Sequence, residues 1–345
     1  MTDASLTGEV LVFPPLVSYN TQKDFNAALA TSACVEHSDV SACERLVRAG
    51  LPPIASPTTM ALLLGISPRL ITAMAFFPDK YYREFRIRKK SGGKRILHAP
   101  RAFLKTVQRF ILSSVLETRQ IPPNITGFVK YRSIIDNAKP HVAAKYVLNI
   151  DLKDFFASVH TPTVTRLYND MGFSAPMANV LAKLCTYKNS LPQGAPTSPY
   201  LANLAFLKAD ASIERLCKKL SVKYTRYADD LTFSRATKIP KSFLEDIRAI
   251  VRRSHFELNE KKTRHSRPGQ AKYVTGLVVN QKIQPDRQRR RKIRAMFHLA
   301  STNPSAMKSR QHELMGWASF VNSYNRALGT RYLRIAHSIQ ETAVS

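Results

Sequence analysis

The stretch YTRYADDLTFS, residues 224–234, sets Asp229 and Asp230 side by side between two runs of β-favouring residues. Successive side chains on a strand point to opposite faces, so an acid pair inside a sheet would bury one carboxylate without a partner. A tight turn removes that cost, because both acids then reach one point in space at the strand ends. Val222, Tyr224 and Arg226 alternate with Lys223, Thr225 and Tyr227, and Leu231, Thr232 and Phe233 resume the pattern, so the spacing predicts strand, turn, strand. Two carboxylates this close raise each other's pKa unless a cation lies between them, which makes a divalent metal their natural companion. An ordinary polar turn has the same local look, since Asp is a common turn residue. The pair gains meaning only from what the rest of the chain brings to it.

A third acid is available upstream. YVLNIDLKDFF, residues 146–156, begins as a buried strand and carries Asp151 toward its end, while Asp154 reads as a local structural acid. Carboxylates converging from separate strands are what nucleotidyl transfer requires, because two magnesium ions about 3.5–4 Å apart activate a terminal hydroxyl and stabilise leaving pyrophosphate. Between the acids lies LPQGAPTSPYLANL, residues 191–204, a Pro, Gly and Ser cluster opening a Leu- and Ala-rich helix. Its Gln193-Gly194 turn can approach a base or sugar closely. Upstream, EFRIRKKSGGKRILHAP, residues 84–100, reads as a basic hairpin: Phe85 and Ile87 alternate with Arg86 and Arg88, Ser91, Gly92 and Gly93 turn, and Lys94 and Arg95 return. Cations flanking glycines suit a flap that closes on a triphosphate. Residues 101–119 then predict an amphipathic helix with Phe103, Val107, Ile111 and Val115 on its buried face.

Charge narrows the partner. The 345 residues carry 53 Lys and Arg against 24 Asp and Glu, a net charge of +29, in a chain whose 44% hydrophobic content excludes a disordered basic tail. A folded groove for a polyanion, nucleic acid first, is the expectation. No apolar run reaches the length of a membrane span and MTDASLTGEV is not a secretory leader, so no membrane association and a cytoplasmic location are expected. Cys34, Cys43, Cys185 and Cys217 form no CxxC pair and predict a reduced, disulfide-free chain, and Cys34, His37 and Cys43 lack a fourth ligand for zinc.

In order, basic hairpin, NIDLKDFF strand, QGAPTSP loop and YADD hairpin resemble a reverse transcriptase over about residues 80–280. The resemblance implies an α+β right-hand polymerase fold with fingers at 56–145, a palm of antiparallel sheet plus helices at 146–280 and a small helical thumb at 281–345. It implies Asp151, Asp229 and Asp230 as catalytic ligands of two Mg2+ ions. Gln193 would lie near the incoming nucleotide, Lys94 and Arg95 near its triphosphate, and Phe156 where the family keeps an aromatic that excludes a ribose 2′-hydroxyl. LNEKKT, residues 258–263, is similar to the next palm segment, with Lys262 near the phosphates or simply a surface lysine.

NAKPH, residues 137–141, is similar to the NAxxH signature of retron reverse transcriptases, and VTG, residues 274–276, is similar to a second signature of that group. The resemblance puts Asn137, His141, Val274, Thr275 and Gly276 among candidate RNA contacts, with buried hydrogen-bonding residues and a plain bend as the alternative. Retron enzymes copy part of a structured noncoding RNA of the msr-msd type from an internal guanosine 2′-hydroxyl. The expected partners are therefore that RNA, its cDNA, dNTPs, a host RNase H that removes copied template, and an effector or toxin protein in phage defence. A group II intron-like enzyme, a diversity-generating relative, an RNA polymerase and a non-catalytic RNA scaffold are the rivals. Phe156 argues against ribonucleotide choice, and the intact acids argue against a scaffold.

Two terminal regions complete the reading. In DRQRRRKIRAMFHLA, Asp286 caps a helix carrying Arg287, Arg289, Arg290, Arg291, Lys292 and Arg294, while Ile293, Met296, Phe297 and Ala300 repeat at helical spacing. One face packs and the other is expected to meet RNA phosphate. MGWASFVNSYN reads as a second packing helix with Trp317 in the core. Residues 1–55 read as an extension without assigned chemistry, with a helix around Ala42 to Ala49. TTMALLLGISPRLITAMA reads as two helices around a turn, packing rather than DNA-reading because Arg69 is the only cation on the second.

Overall fold

The strand pattern around Asp151 is realised in a computed structural model that describes Phe25, residues 27–29, Ser32, and residues 35–88 and 92–341. Cys34 and the turn residue Ser91 lie outside the described residues. β1 (Tyr82–Arg88) and β2 (Lys94–Pro100) form the basic hairpin, with Ile87 opposite Arg95 and Arg88 opposite Lys94. β3 (Tyr146–Lys153), β4 (Lys223–Tyr227), β5 (Asp230–Arg235), β6 (Glu257–Leu258) and β7 (Arg264–Ser266) make a second sheet in the order β4-β5-β3-β6, with β7 also pairing β3. β8 (Tyr273–Val274) and β9 (Leu277–Val278) close a small hairpin. Helices and antiparallel strands together give the α+β class the sequence predicts.

The chain divides into two units, one of residues 1–122, 153–211 and 251–256, the other of residues 123–152, 212–250 and 257–345. In the first, Pro57–Leu64 and Pro68–Phe76 form the expected helix pair, with Gly65 in the left-handed conformation ending the first. The predicted helix after β2 runs Ala102–Ile111 and continues as a π-turn, Leu112–Leu116. Its buried face is Leu104, Val107, Phe110, Ile111 and Val115, so Val107, Ile111 and Val115 of the expected stripe are inside while Phe103 is 58% exposed and Leu104 takes its place. That face also holds the polar Gln108, whose side-chain Nε2 donates to Tyr82 Oη at 2.9 Å and to the Leu184 carbonyl at 2.8 Å. Phe155, Phe206 and Phe256 pack with ring centroids 4.9–6.1 Å apart.

The second unit holds the larger sheet and the C-terminal helices. Asp286 Oδ1 accepts from the Arg289 amide at 2.8 Å, starting the helix Arg287–Thr302 as predicted. Ile293, Met296, Phe297 and Ala300 are buried against Gln311–Tyr324 and Arg326–Glu341, with Phe297 stacked on Tyr332 at 3.9 Å and Trp317 half-buried at the edge of that core. Among the described residues no single helix is long and apolar enough to cross a membrane, and Cys43, Cys185 and Cys217 are free, buried thiols.

Candidate active site

The site is built on register. In the antiparallel β3–β5 pair Asp151 stands directly opposite Asp230, and in the β4–β5 hairpin Tyr227 stands opposite Asp230, leaving Ala228 and Asp229 as the two-residue turn. Ala228 carries φ +58°, the left-handed conformation such a turn demands. The Leu152 amide donates to the Asp229 carbonyl at 2.8 Å, so the tip is tied to β3 one residue past Asp151. All three predicted acids therefore come together, on two adjacent strands and one turn.

The tip is held from a second side. Residues 124–126 run alongside β4: the Arg226 amide donates to Asn124 O and the Thr126 amide to Arg226 O, each at 2.8 Å. Arg226 is fully buried and its Nη1 donates to the Ala228 carbonyl at 3.0 Å, bracing the turn. A side chain on Gly127 would put its Cβ 2.3 Å from the Ala228 amide nitrogen, so only glycine allows this loop to lie against the tip. Beyond it the loop exposes Phe128, whose ring lies 6.3 Å from that of Tyr227, and Tyr131, at 102% exposure. Sequence reasoning placed Arg226 on the strand without a role and did not name this loop; the lone Gly127 before an aromatic was the available signal.

Electrostatics mark the acids as incomplete on their own. Burial, then Asp229, then Asp151 push the Asp230 carboxyl up to about 6, with Lys262 opposing. Asp151 is almost fully enclosed; its Oδ1 accepts from Asn259 Nδ2 at 3.0 Å and its Oδ2 from Lys262 Nζ at 2.9 Å. The Asn259 amide donates to the Asp151 carbonyl at 2.7 Å, so the LNEKKT segment is fastened to the acid strand through backbone and side chain. That bond to Asp151 is the main reason the Lys262 ammonium holds its proton more tightly than usual. Among the described residues no three His, Cys, Asp or Glu side chains are gathered as a ready metal cage, and Asp151 is turned toward Asn259 and Lys262. The charge balance nevertheless fits a cation: Asp229 and Asp151 both raise the pKa of the Asp230 carboxyl, and Lys262 opposes them.

The other candidates fall as follows. In the first unit, β2 runs against the QGAPTSP loop: the His98 amide donates to Gln193 O at 2.9 Å, and Gly194, at φ +122°, leaves 3.1 Å between a notional Cβ and His98 O. Gln193 is thus half-buried beside the strand bearing exposed Lys94 and Arg95. Phe156 is half-buried next to Phe155, and Asp154 is an exposed turn residue at φ +47°. In the second unit, Arg287, Arg289, Arg291 and Arg294 are exposed, while Arg290 is half-buried with its Nε enclosed.

Both short signatures place side chains inside the fold, with Lys139 and Gly276 exposed. Asn137 and His141 are 0% exposed, and Val274 is 0% exposed in a core with Ile135, Ala138, Leu277 and Val279. Thr275 and Gly276, at φ +46° and +78°, form the β8–β9 turn, and the Thr275 hydroxyl donates to Ile134 O at 3.3 Å. Burial withdraws Asn137, His141 and Val274 from direct RNA contact. The alternative, buried hydrogen-bonding residues and a bend, is what the fold displays.

Comparison with known proteins agrees with this geometry. Residues 87–296 match the family described as reverse transcriptase (RNA-dependent DNA polymerase). The chain is 36% identical to the Retron Ec86 reverse transcriptase of Escherichia coli, over 81% of this chain and 88% of that protein. It is 35% identical to the Retron Mx65 reverse transcriptase of Myxococcus xanthus, over 84% and 73% respectively. Among solved structures, telomerase from Candida albicans is similar at a TM-score of 0.42 and 9% identity, over 64% of this chain and 50% of that one.

Proposed function

Because the chain belongs to the reverse transcriptases, and among them to those of retrons, it is an RNA-directed DNA polymerase, and we propose that it copies part of a structured msr-msd type RNA from an internal guanosine 2′-hydroxyl. The product on this reading is a branched RNA-DNA hybrid. A host RNase H trims the copied template, the setting is the cytoplasm, and the hybrid serves antiphage defence beside an effector protein. The observation that carries the catalytic part is the Asp151–Asp230 register with Asp229 at the adjoining turn.

We assign Asp151, Asp229 and Asp230 as the residues that hold two Mg2+ ions. When bound, such ions supply charge neutralisation and activate the attacking hydroxyl. The chain's own groups do the rest. Lys262 neutralises Asp151 at 2.9 Å and stands ready to pair with phosphate oxygen instead. Lys94 and Arg95, exposed on β2, bind the triphosphate; Gln193 orients the nucleotide; Phe156 rejects a 2′-hydroxyl by its bulk. On this reading 56–145 are fingers, 146–280 palm and 281–345 thumb, whose exposed arginines take RNA phosphate. Phe128 and Tyr131 offer faces on which an uncopied template base can stack.

The test is to sequence nucleic acid that copurifies with the wild type and with the Asp229→Asn, Asp230→Asn double variant. A short cDNA joined to a structured RNA is expected from the first, and the RNA alone from the second. Equal cDNA from both would remove the acids from catalysis.

A further inference from the structure

The buried NAKPH segment does something that its burial alone does not explain. His141 places both ring nitrogens on hydroxyls of the catalytic hairpin: Nε2 lies 2.8 Å from Thr225 Oγ1 on β4, and Nδ1 lies 2.7 Å from Ser234 Oγ on β5. Asn137 joins from the same helical turn. Its carbonyl accepts from the Thr225 hydroxyl at 3.2 Å, and its Oδ1 accepts from the Thr126 hydroxyl at 2.9 Å. Thr126 is the residue whose amide bonds to Arg226, next to the turn.

Proton accounting fixes the direction of each bond. Thr225 gives its single hydroxyl proton to Asn137 O, so it accepts from His141 Nε2–H. His141 Nδ1 then carries no proton and accepts from Ser234. The ring is neutral, in agreement with burial holding its pKa down near 3, and each ring nitrogen has one hydroxyl partner, while the Asn137 Nδ2 amide is buried without one.

Strand parity gives the geometry its meaning. Asp230, Thr232 and Ser234 share one face of β5, and their partners Asp151 and Asn149 on β3, and Tyr227 and Thr225 on β4, share it with them. The acids and the His141 contacts therefore belong to one face, Thr225 one rung from the acid row and Ser234 two. Asn149 Nδ2 donates to Thr232 Oγ1 at 3.3 Å, filling the rung between them. Thr225 and Ser234 are diagonal neighbours, so the imidazole spans the hairpin and opposes sliding or twisting of β4 against β5. Behind His141 the VTG hairpin closes the assembly, with Val274, Leu277 and Val279 against Ile135 and Ala138.

We propose that His141, with Asn137, is a positioning residue of the catalytic hairpin: it locks β4 to β5 through Thr225 and Ser234 and thereby fixes where Asp229 and Asp230 stand. This inference rests on the polymerase reading for its catalytic consequence, and on hydrogen-bond geometry alone for its structural one.

The experiment uses the full chain with its copurifying RNA and the variants His141→Phe, His141→Gln, Thr225→Val and Ser234→Ala. For His141→Phe, amide exchange in the peptide covering 223–235 should rise at least about tenfold and kcat should fall by about tenfold or more, because a small displacement of reacting groups is costly. KM for dNTP and the RNA dissociation constant should stay within about threefold, as a positioning role requires. His141→Gln keeps a donor and an acceptor and should recover part of kcat. Thr225→Val removes the contacts to His141 Nε2 and the Asn137 carbonyl, and Ser234→Ala the contact to Nδ1; both keep the ring itself, so they carry the test if His141→Phe fails to fold, and their effects on kcat should be non-additive. Unchanged hairpin exchange and kcat would overturn the proposal. So would lost RNA affinity with normal kcat at saturating RNA, which would return His141 to RNA recognition. A wild type that makes no DNA would sink the polymerase reading instead, while exchange in 223–235 would still report whether His141 holds the hairpin.

Discussion

Asp230→Asn should stabilise the metal-free protein while abolishing DNA synthesis. In the fold the Asp230 carboxyl titrates near 6 instead of 3.8, chiefly through burial and the neighbouring Asp229 and Asp151. A folded-state pKa above the unfolded one means that the folded chain resists ionisation. The stability tied to this group is full below the unfolded value and is lost as the pH rises through about 6. A shift of about two units corresponds to about 3 kcal/mol unscreened. Asp230 sits among many protein atoms yet keeps an exposed edge, and water at that edge screens the repulsion, so about 1 kcal/mol is the better expectation. That corresponds to roughly 2–4 °C in a domain of ordinary size. Urea and thermal unfolding in EDTA are the assays: at pH 8 the Asn variant should be the more stable, with the gap closing as the pH falls toward 4.5. Saturating Mg2+ should raise the wild type and leave the variant nearly unmoved. An Asp230→Asn protein less stable than wild type at pH 8 in EDTA, or one with an undiminished pH dependence, would refute the view that uncompensated charge dominates this site.

Phe156→Ala should admit ribonucleotides with a smaller loss of DNA synthesis, measured as the ratio of kcat/KM for rNTP and dNTP; unchanged discrimination at full activity would place the gate elsewhere. Replacing Arg289, Arg290, Arg291 and Arg294 together by Gln should weaken RNA binding and flatten its salt dependence by about 0.7–0.9 per lost contact, with three contacts expected because Arg290 is half-buried. Equal slopes for the variant and wild type would make this helix merely solvated. Lys262→Gln removes the one cation that lowers the Asp230 pKa, so the acid limb of the pH–rate profile should move upward; an unmoved limb would show that Lys262 leaves the acids electrostatically untouched.

Much of the site was legible because it depends on local rules. Alternation around Tyr224 and Leu231 predicted the hairpin, the Asp pair marked its turn, and the NIDLKDFF pattern supplied the third acid, all of which depend on residues close in sequence. What could not be read depends on which loop covers which face. Lys262 reads as a surface or phosphate-facing lysine until Asn259 fastens its segment to Asp151, 108 residues away. Phe103 fits a helical stripe as well as Leu104 does, and only packing shows that Leu104 is inside. Arg226 looks like one more nucleic-acid cation in a chain of net charge +29, yet it is buried and braces Ala228.

The same confusion between inside and outside bears on how this enzyme would choose its RNA. A short polar motif in a basic chain invites assignment to the ligand, but both His141 ring nitrogens, the Asn137 backbone carbonyl and its Oδ1 are engaged by Thr126, Thr225 and Ser234. Val274 and the Thr275-Gly276 turn back the same helical segment. Phe320 and Tyr324, from the helix Gln311–Tyr324, pack on that core as well. A continuous set of contacts thus runs from the C-terminal helices, whose outer faces carry the exposed arginines, through the VTG turn and the NAKPH helix to the strands that hold Asp229 and Asp230. Contiguity is not coupling, since a route of packed residues transmits nothing unless both ends bias one equilibrium. It does set a condition on recognition: if RNA is chosen by shape, the choice must be made by groups that water can reach, such as Arg287, Arg289, Arg291 and Arg294, rather than by the buried Asn137, His141 and Val274. Swapping those four positions between this chain and a relative should transfer RNA preference. Swapping Asn137 and His141 should change the rate of synthesis on whichever RNA is bound.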